Sequence, residues 1–108
     1  MAKNNDRIYK VIFVNQDQVF ELYAKHVYQS DMWGFLEIEE LVFGNRSELV
    51  IDPGEEKLKT EFSGVKRSYI PSHAIVRIDE VENEGVAKVS EAKGTIAAFP
   101  VAPVQPRS

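Results

Sequence analysis

The chain has no cysteine. Disulfides, thiol nucleophiles and every cysteine-based metal site are excluded by that alone. Histidine is almost as scarce, with only His26 and His73, and no His-x-x-x-His spacing occurs that would set two imidazoles on one helical face. The six glycines are scattered, so no G-x-G-x-x-G loop, phosphate-cradling Walker pattern or G-x-S-x-G nucleophile turn is present. Long apolar runs are missing too. Val11 to Val14 and Ile96 to Phe99 are far shorter than the ~20 residues of a membrane-spanning helix. The amino-terminal MAKNNDR lacks the apolar middle of a secretory leader, which makes the cytoplasm the expected compartment. Positive charge is in deficit. Thirteen Lys and Arg against seventeen Asp and Glu leave a net charge of -4 and a pI near 5.2. Nonspecific affinity for phosphate comes from summed cations, so bulk nucleic-acid binding is disfavoured and only a local site remains open.

What is present is the balance of one soluble domain. The 108 residues, 44% hydrophobic and 28% charged, can bury a single modest core. Residues 1–7 are polar with nothing to pack and are expected to fray. From Ile8 the pattern changes. IYKVIFV is rich in β-branched and aromatic residues and reads as a buried strand. QVFELYAKHV alternates, with Phe20, Leu22 and Ala24 on one face, and should form a hairpin with it around Asn15 to Gln18. YQSDMWGF interrupts the alternation and is expected to fold Met32 and Trp33 back onto the body. LEIEELVF resumes as a strand, but Leu36 and Ile38 share one parity and Leu41 and Phe43 the other, which places a bulge near Glu39 and Glu40. ELVI follows the turn GNRS as a short strand.

Asp52 to Phe62 is the convincing helix. Asp52 is a good N-cap, Pro53 suits the first helical position, and Glu55 completes an Asp-x-x-Glu capping box. Glu55 and Lys59 have ion-pair spacing, and Gly64 is a stop. VKRSYI and AIVRIDEV then supply two more strands around Pro71 to His73, with Ala74, Val76 and Ile78 reading as core. After Glu82, small residues and three prolines among the last nine mark residues 83–108 as a flexible tail. The expected fold is mainly β: a small bent antiparallel sheet or a five- to six-stranded barrel spanning residues 8–82, with one short α-helix.

Several side-chain groupings bear on chemistry. His26 and His73 with carboxylates such as Asp31 match no ligand spacing, so no metal is expected, and no cofactor either. Paired carboxylates such as Glu39 with Glu40 are abundant, which makes a solvated acidic face their ordinary explanation. The basic and aromatic residues are more pointed. Lys66, Arg67, Tyr69, Ser72 and His73 surround the last strand corner, and a basic patch with an aromatic platform is how small β-barrels hold single-stranded nucleic acid. Against that stands a plainer role for Lys66 and Arg67, offsetting the acidic residues of the helix. Most aromatics fall in the first half and should fill the core, and any left exposed would mark a protein interface.

Two resemblances attach to these segments. IYKVIFVNQDQVFELYAKHVYQSDMWGFLEIEELVFG and DPGEEKLKTEFSGVKRSYIPSHAIVRIDEV resemble an uncharacterised bacterial family, the domain of unknown function numbered 1820, which implies no activity. More loosely, VIFVNQDQVFELYAKHV followed by SYIPSHAIVRIDEV is similar to the two-part signature of Sm-like proteins, including the bacterial RNA chaperone Hfq. That resemblance implies a bent five-stranded barrel ending in two strands joined by a very short, RNA-contacting corner, with His73-Ala74-Ile75 in the place of that family's His-Ala-Ile. The corner lysine of the family is Ser72 here, and its first-hairpin Asn-Gly is Asn15-Gln16. The leading expectation is a small cytoplasmic, non-enzymatic adaptor that binds a protein partner or itself. The alternative is an Sm-like single-stranded RNA binder using Lys66, Arg67, Tyr69, Ser72 and His73. An enzyme pairing His73 with a carboxylate is the outsider.

Overall fold

Asn15 and Gln18 close a two-residue hairpin between β1 (Ile8–Asn15) and β2 (Gln18–Gln29). The linking residues Gln16 and Asp17 both have positive φ, 53° and 64°, the backbone of a type I′ turn whose twist suits paired strands. In the computed structural model, which describes residues 7–43 and 52–92, this hairpin is the centre of a six-stranded antiparallel sheet. Strand β3 (Phe35–Leu41) pairs with the second half of β2, and β4 (Arg67–Pro71) pairs with β3. On the other side, β5 (Ile75–Val81) pairs with β1, giving the order β4-β3-β2-β1-β5. Of the two expected forms, the structure takes the open one. The sheet is not closed, and β4 and β5 lie at opposite ends of that order, joined by the single 3-10 turn Ser72–Ala74.

The side-chain pattern explains the core. Val11 and Phe13 from β1, Phe20, Leu22 and Ala24 from β2, Ile38 from β3 and Ile70 from β4 are buried together. Phe13 and Phe20 stack with centroids 5.2 Å apart, a contact that adds to simple burial. Both β2 and β3 change face along their length. Ala24 stands opposite Leu41 and Val27 opposite Ile38, and all four contribute to the core. Glu40, at φ 58°, takes up the change on β3 without shifting the register. The expected irregularity at Glu39–Glu40 is therefore real, but it is a matched switch of face in both strands, with no inserted residue.

Helix α1 (Pro53–Glu61) covers one end of this core. The Glu55 amide donates to Asp52 Oδ1 at 3.1 Å, the N-cap that the sequence implies. Leu58 is buried, Phe62 is half-buried, and both pack on the core. Gly64 at φ 85° then turns the chain, as a glycine after a helix readily does. Lys59 pairs with Glu56 at 3.6 Å, where the sequence points to Glu55. Glu55 is buried instead, and its carboxylate accepts the Ala87 amide at 3.1 Å.

That bond belongs to a segment that reads from sequence as tail. Lys88–Glu91 forms β6, antiparallel to the first residues of β2, and Ala87 and Ala92 are buried. The ordered body thus extends past Glu82 to Ala92. β2 is longer than β3, and β6 takes the stretch of its edge that β3 leaves open. A second correction concerns β5. The register against β1 shifts between Ile12 and Phe13, leaving Val76 as the extra residue, 42% exposed, while Ile75 packs on the core. The strict alternation that makes Val76 core is broken by this bulge. The ELVI strand, residues 1–6 and the tail beyond Ala92 lie outside the described residues.

Candidate functional site

Strands β2, β3 and β4 turn one face to the core and the other to solvent, and strand pairing fixes what the outer face carries. Tyr28 is opposite Glu37, which is opposite Tyr69; His26 is opposite Glu39, which is opposite Arg67. A further row toward the β2–β3 loop sets Phe35 beside Pro71. The result is a platform of two tyrosines, a phenylalanine and a proline around one charged cluster.

The cluster is held by hydrogen bonds. Tyr28 donates its hydroxyl to Glu39 at 2.7 Å, Ser30 donates to Glu37 at 2.9 Å, and the Arg67 Nε donates to Glu39. Arg67 also lies 3.5 Å from Glu37. His26 approaches Glu40 at 3.8 Å. The bond to Glu39 is the main reason that the Tyr28 hydroxyl is pushed up to about 12, since ionising it would set two anions together. Hydrogen bonds from Tyr28 and Arg67 hold the Glu39 carboxyl below its ordinary range. Arg67 is held still more firmly charged, first by its hydrogen bond with Tyr69 and then by Glu39.

At the end of this face the β2–β3 loop projects Trp33. The loop is short and internally bonded: Ser30 N donates to Phe35 O at 3.0 Å, Phe35 N to Met32 O at 3.2 Å, and Met32 N to Ser30 Oγ at 2.9 Å. Gly34, at φ 86°, completes it, and its carbonyl accepts Ser72 N at 2.8 Å from the β4–β5 corner. With so few residues between the strands the tip cannot fold back. Trp33 is 94% exposed and Met32 46%, against the expectation that both would tuck onto the body. Tyr28 and Tyr69 are exposed at 42% and 41%.

The five residues that the sequence singles out are therefore divided. Arg67 and Tyr69 lie on the outer face. Ser72 stands in the exposed corner tied to the Trp33 loop. His73 lines a cleft of about 440 Å³ together with Phe13, Phe20, Phe62 and Ile70, and Tyr69 and Pro71 border it as well. Lys66 is exposed just before β4 and borders another depression with Glu40 and Phe43. They do not form one basic patch, because Glu37 and Glu39 neutralise Arg67. Of the helix carboxylates expected to offset it, Glu55 accepts the Ala87 amide and Glu56 pairs with Lys59. Sequence reasoning misses Trp33, Met32 and Tyr28 as site residues. The available signal is a tryptophan beside glycine in a hairpin tip of polar residues. Among the described residues no group of three or more His, Asp or Glu is placed to hold a metal ion. No helix there is long and apolar enough to cross a membrane.

Comparison with known families is informative at one point. The model of the family described as Domain of unknown function (DUF1820) matches residues 7–101. The chain belongs to that family. Membership in DUF1820 spans the whole sheet, α1 and β6, and it attaches no activity to any of them. No curated protein matches, and no solved structure matches. The likeness to Sm-like barrels is confirmed by neither comparison.

Proposed function

We propose that this DUF1820 protein is a small cytoplasmic, non-enzymatic module that binds another protein through the outer face of β2, β3 and β4. The observation that carries the reading is Trp33, almost wholly exposed on a loop cross-braced by hydrogen bonds and bordered by Met32 and the platform of Tyr28 and Tyr69. Holding a large apolar side chain in water has no benefit to folding. Trp, Tyr and Arg are the residues that dominate protein interfaces once desolvated. The bond from Tyr28 to Glu39 holds one of the two tyrosines in place, so less side-chain order has to be created on association.

RNA binding finds less support in the same geometry. The tyrosines could stack bases, but Glu37 and Glu39 stand between and beside them and Arg67 is already paired with both. The test is capture from the native cytoplasm by tagged wild-type protein and by the Trp33→Ala/Tyr69→Ala variant, with circular dichroism confirming that both are folded. A protein captured by wild type and lost by the variant, with little dependence on salt, supports the reading. Equal capture by both removes it. Nucleic acid released by modest salt would install the RNA reading in its place.

A further inference from the structure

The face has a candidate occupant in the chain itself. Ile96 to Val104, IAAFPVAPV, contains no polar side chain, and Pro100, Pro103 and Pro106 stand three residues apart within and just beyond it. So apolar a run is unlike the polar composition that keeps a segment solvated. In a polyproline II helix, residues three apart recur on one side about every 9.3 Å. Tyr28 and Tyr69 sit two strands apart with Glu37 between them, which puts them about 9.6 Å apart across the sheet. Consecutive prolines therefore match consecutive tyrosines, in the way aromatic surfaces recognise proline-rich peptides.

Charge and reach agree. From residue 93 to 108 the only ionisable side chains are Lys93 and Arg107, both positive, while the face carries Glu37 and Glu39 around Arg67, with Glu40 near His26. Ala92 is fixed at the far end of β2 by its amide bond to Asp17 O, 2.9 Å. Tyr28 is ten residues along β2 from Gln18, about 33 Å. The fourteen residues from Ala92 to Pro106 span about 46–50 Å when extended. That leaves length for the reversal of direction that β6 imposes.

Resting on the protein-binding reading above, we infer that the proline-rich segment Phe99 to Arg107 docks across Tyr28 and Tyr69, beside Trp33, on the same chain. Trp33 is the chain's single tryptophan, so its emission reports on this face alone. The experiment compares the full chain with a full-length Pro103→Glu/Pro106→Glu variant. The expected result is a blue-shifted, acrylamide-protected Trp33 in the parent, independent of protein concentration. Both properties should be lost in the variant and restored, saturably, by a synthetic peptide of residues 96–108 but not by one with its prolines replaced by alanine. Equal, fully exposed emission from parent and variant overturns the inference, as does protection that appears only as concentration rises. If that happens while Trp33→Ala/Tyr69→Ala still loses a captured protein, the docking inference fails and the binding reading stands. If capture is also unchanged, both fail.

Discussion

Replacing Glu55 tests how the helix and the last strand are joined. Glu55 is 5% exposed and its carboxylate accepts the amide of Ala87, a residue 1% exposed. A hydrogen bond to a charged acceptor is worth about 1.5–3 kcal/mol, and its loss leaves a buried N–H without that partner. Glu55 also stands in the first turn of α1, where a negative charge contributes about 0.3–1 kcal/mol. Glu55→Ala should therefore cost roughly 2–4 kcal/mol. Glu55→Gln retains an acceptor oxygen and should cost about half as much. With a denaturant slope of about 1–1.5 kcal/mol per molar urea for a domain of this size, the alanine variant's midpoint should fall by roughly 1.3–4 M. Hydrogen exchange should locate the loss first at Ala87 and Val89, because this bond ties the start of β6 to the first turn of α1. A Glu55→Ala variant within about 0.5 kcal/mol of wild type would refute the reasoning. So would a Gln variant as unstable as the Ala variant, since the acceptor would then not be the source.

Three other perturbations probe separate parts of the fold. Glu39→Gln should return Tyr28 from about 12 toward the ordinary tyrosine value, seen as one tyrosine ionising earlier in an ultraviolet titration. The raised Tyr28 value means that its contribution to stability is complete below the ordinary tyrosine range and is lost as pH climbs through about 12. Glu39, held low, behaves in the opposite sense: its contribution is present above the ordinary carboxylate range and is lost as pH falls into acid. Gly85→Ala places a Cβ 2.6 Å from the Tyr23 hydroxyl and 3.1 Å from Cζ of a buried ring. It should destabilise by about 1–3 kcal/mol in thermal or urea unfolding. Asp17→Gly, at φ 64° in the hairpin turn, should stabilise by roughly 0.5–1 kcal/mol, because glycine takes this backbone without a Cβ clash.

The strands and helix are legible where a local pattern is also the cause of the structure. Val11 and Phe13 against Phe20 and Leu22 alternate because one face of that hairpin is buried, and Asp52-Pro53 starts a helix through groups within four residues. β6 is not legible. AKVSEA is short and made largely of small residues, and what orders it is a vacant edge on β2 and the carboxylate of Glu55, both distant in sequence. The core register of β5 misleads at Val76 because a bulge is set by the partner strand and leaves no mark in its own composition. For the site, residue type is enough to find Arg67 and Tyr69, but the meaning of Arg67 changes once Glu37 and Glu39 stand beside it. The ordinary behaviour of large aromatics assigns Trp33 to the core, and only the length of the loop puts it in solvent.

The most direct measurement of the central claim is photocrosslinking inside the cell of origin. A benzoyl-phenylalanine placed at position 33 is compared with one at Lys57, an exposed helix position away from the face. A docking face predicts discrete protein adducts from position 33 and none from position 57. Adducts to nucleic acid at position 33, or the same products from both positions, would contradict it.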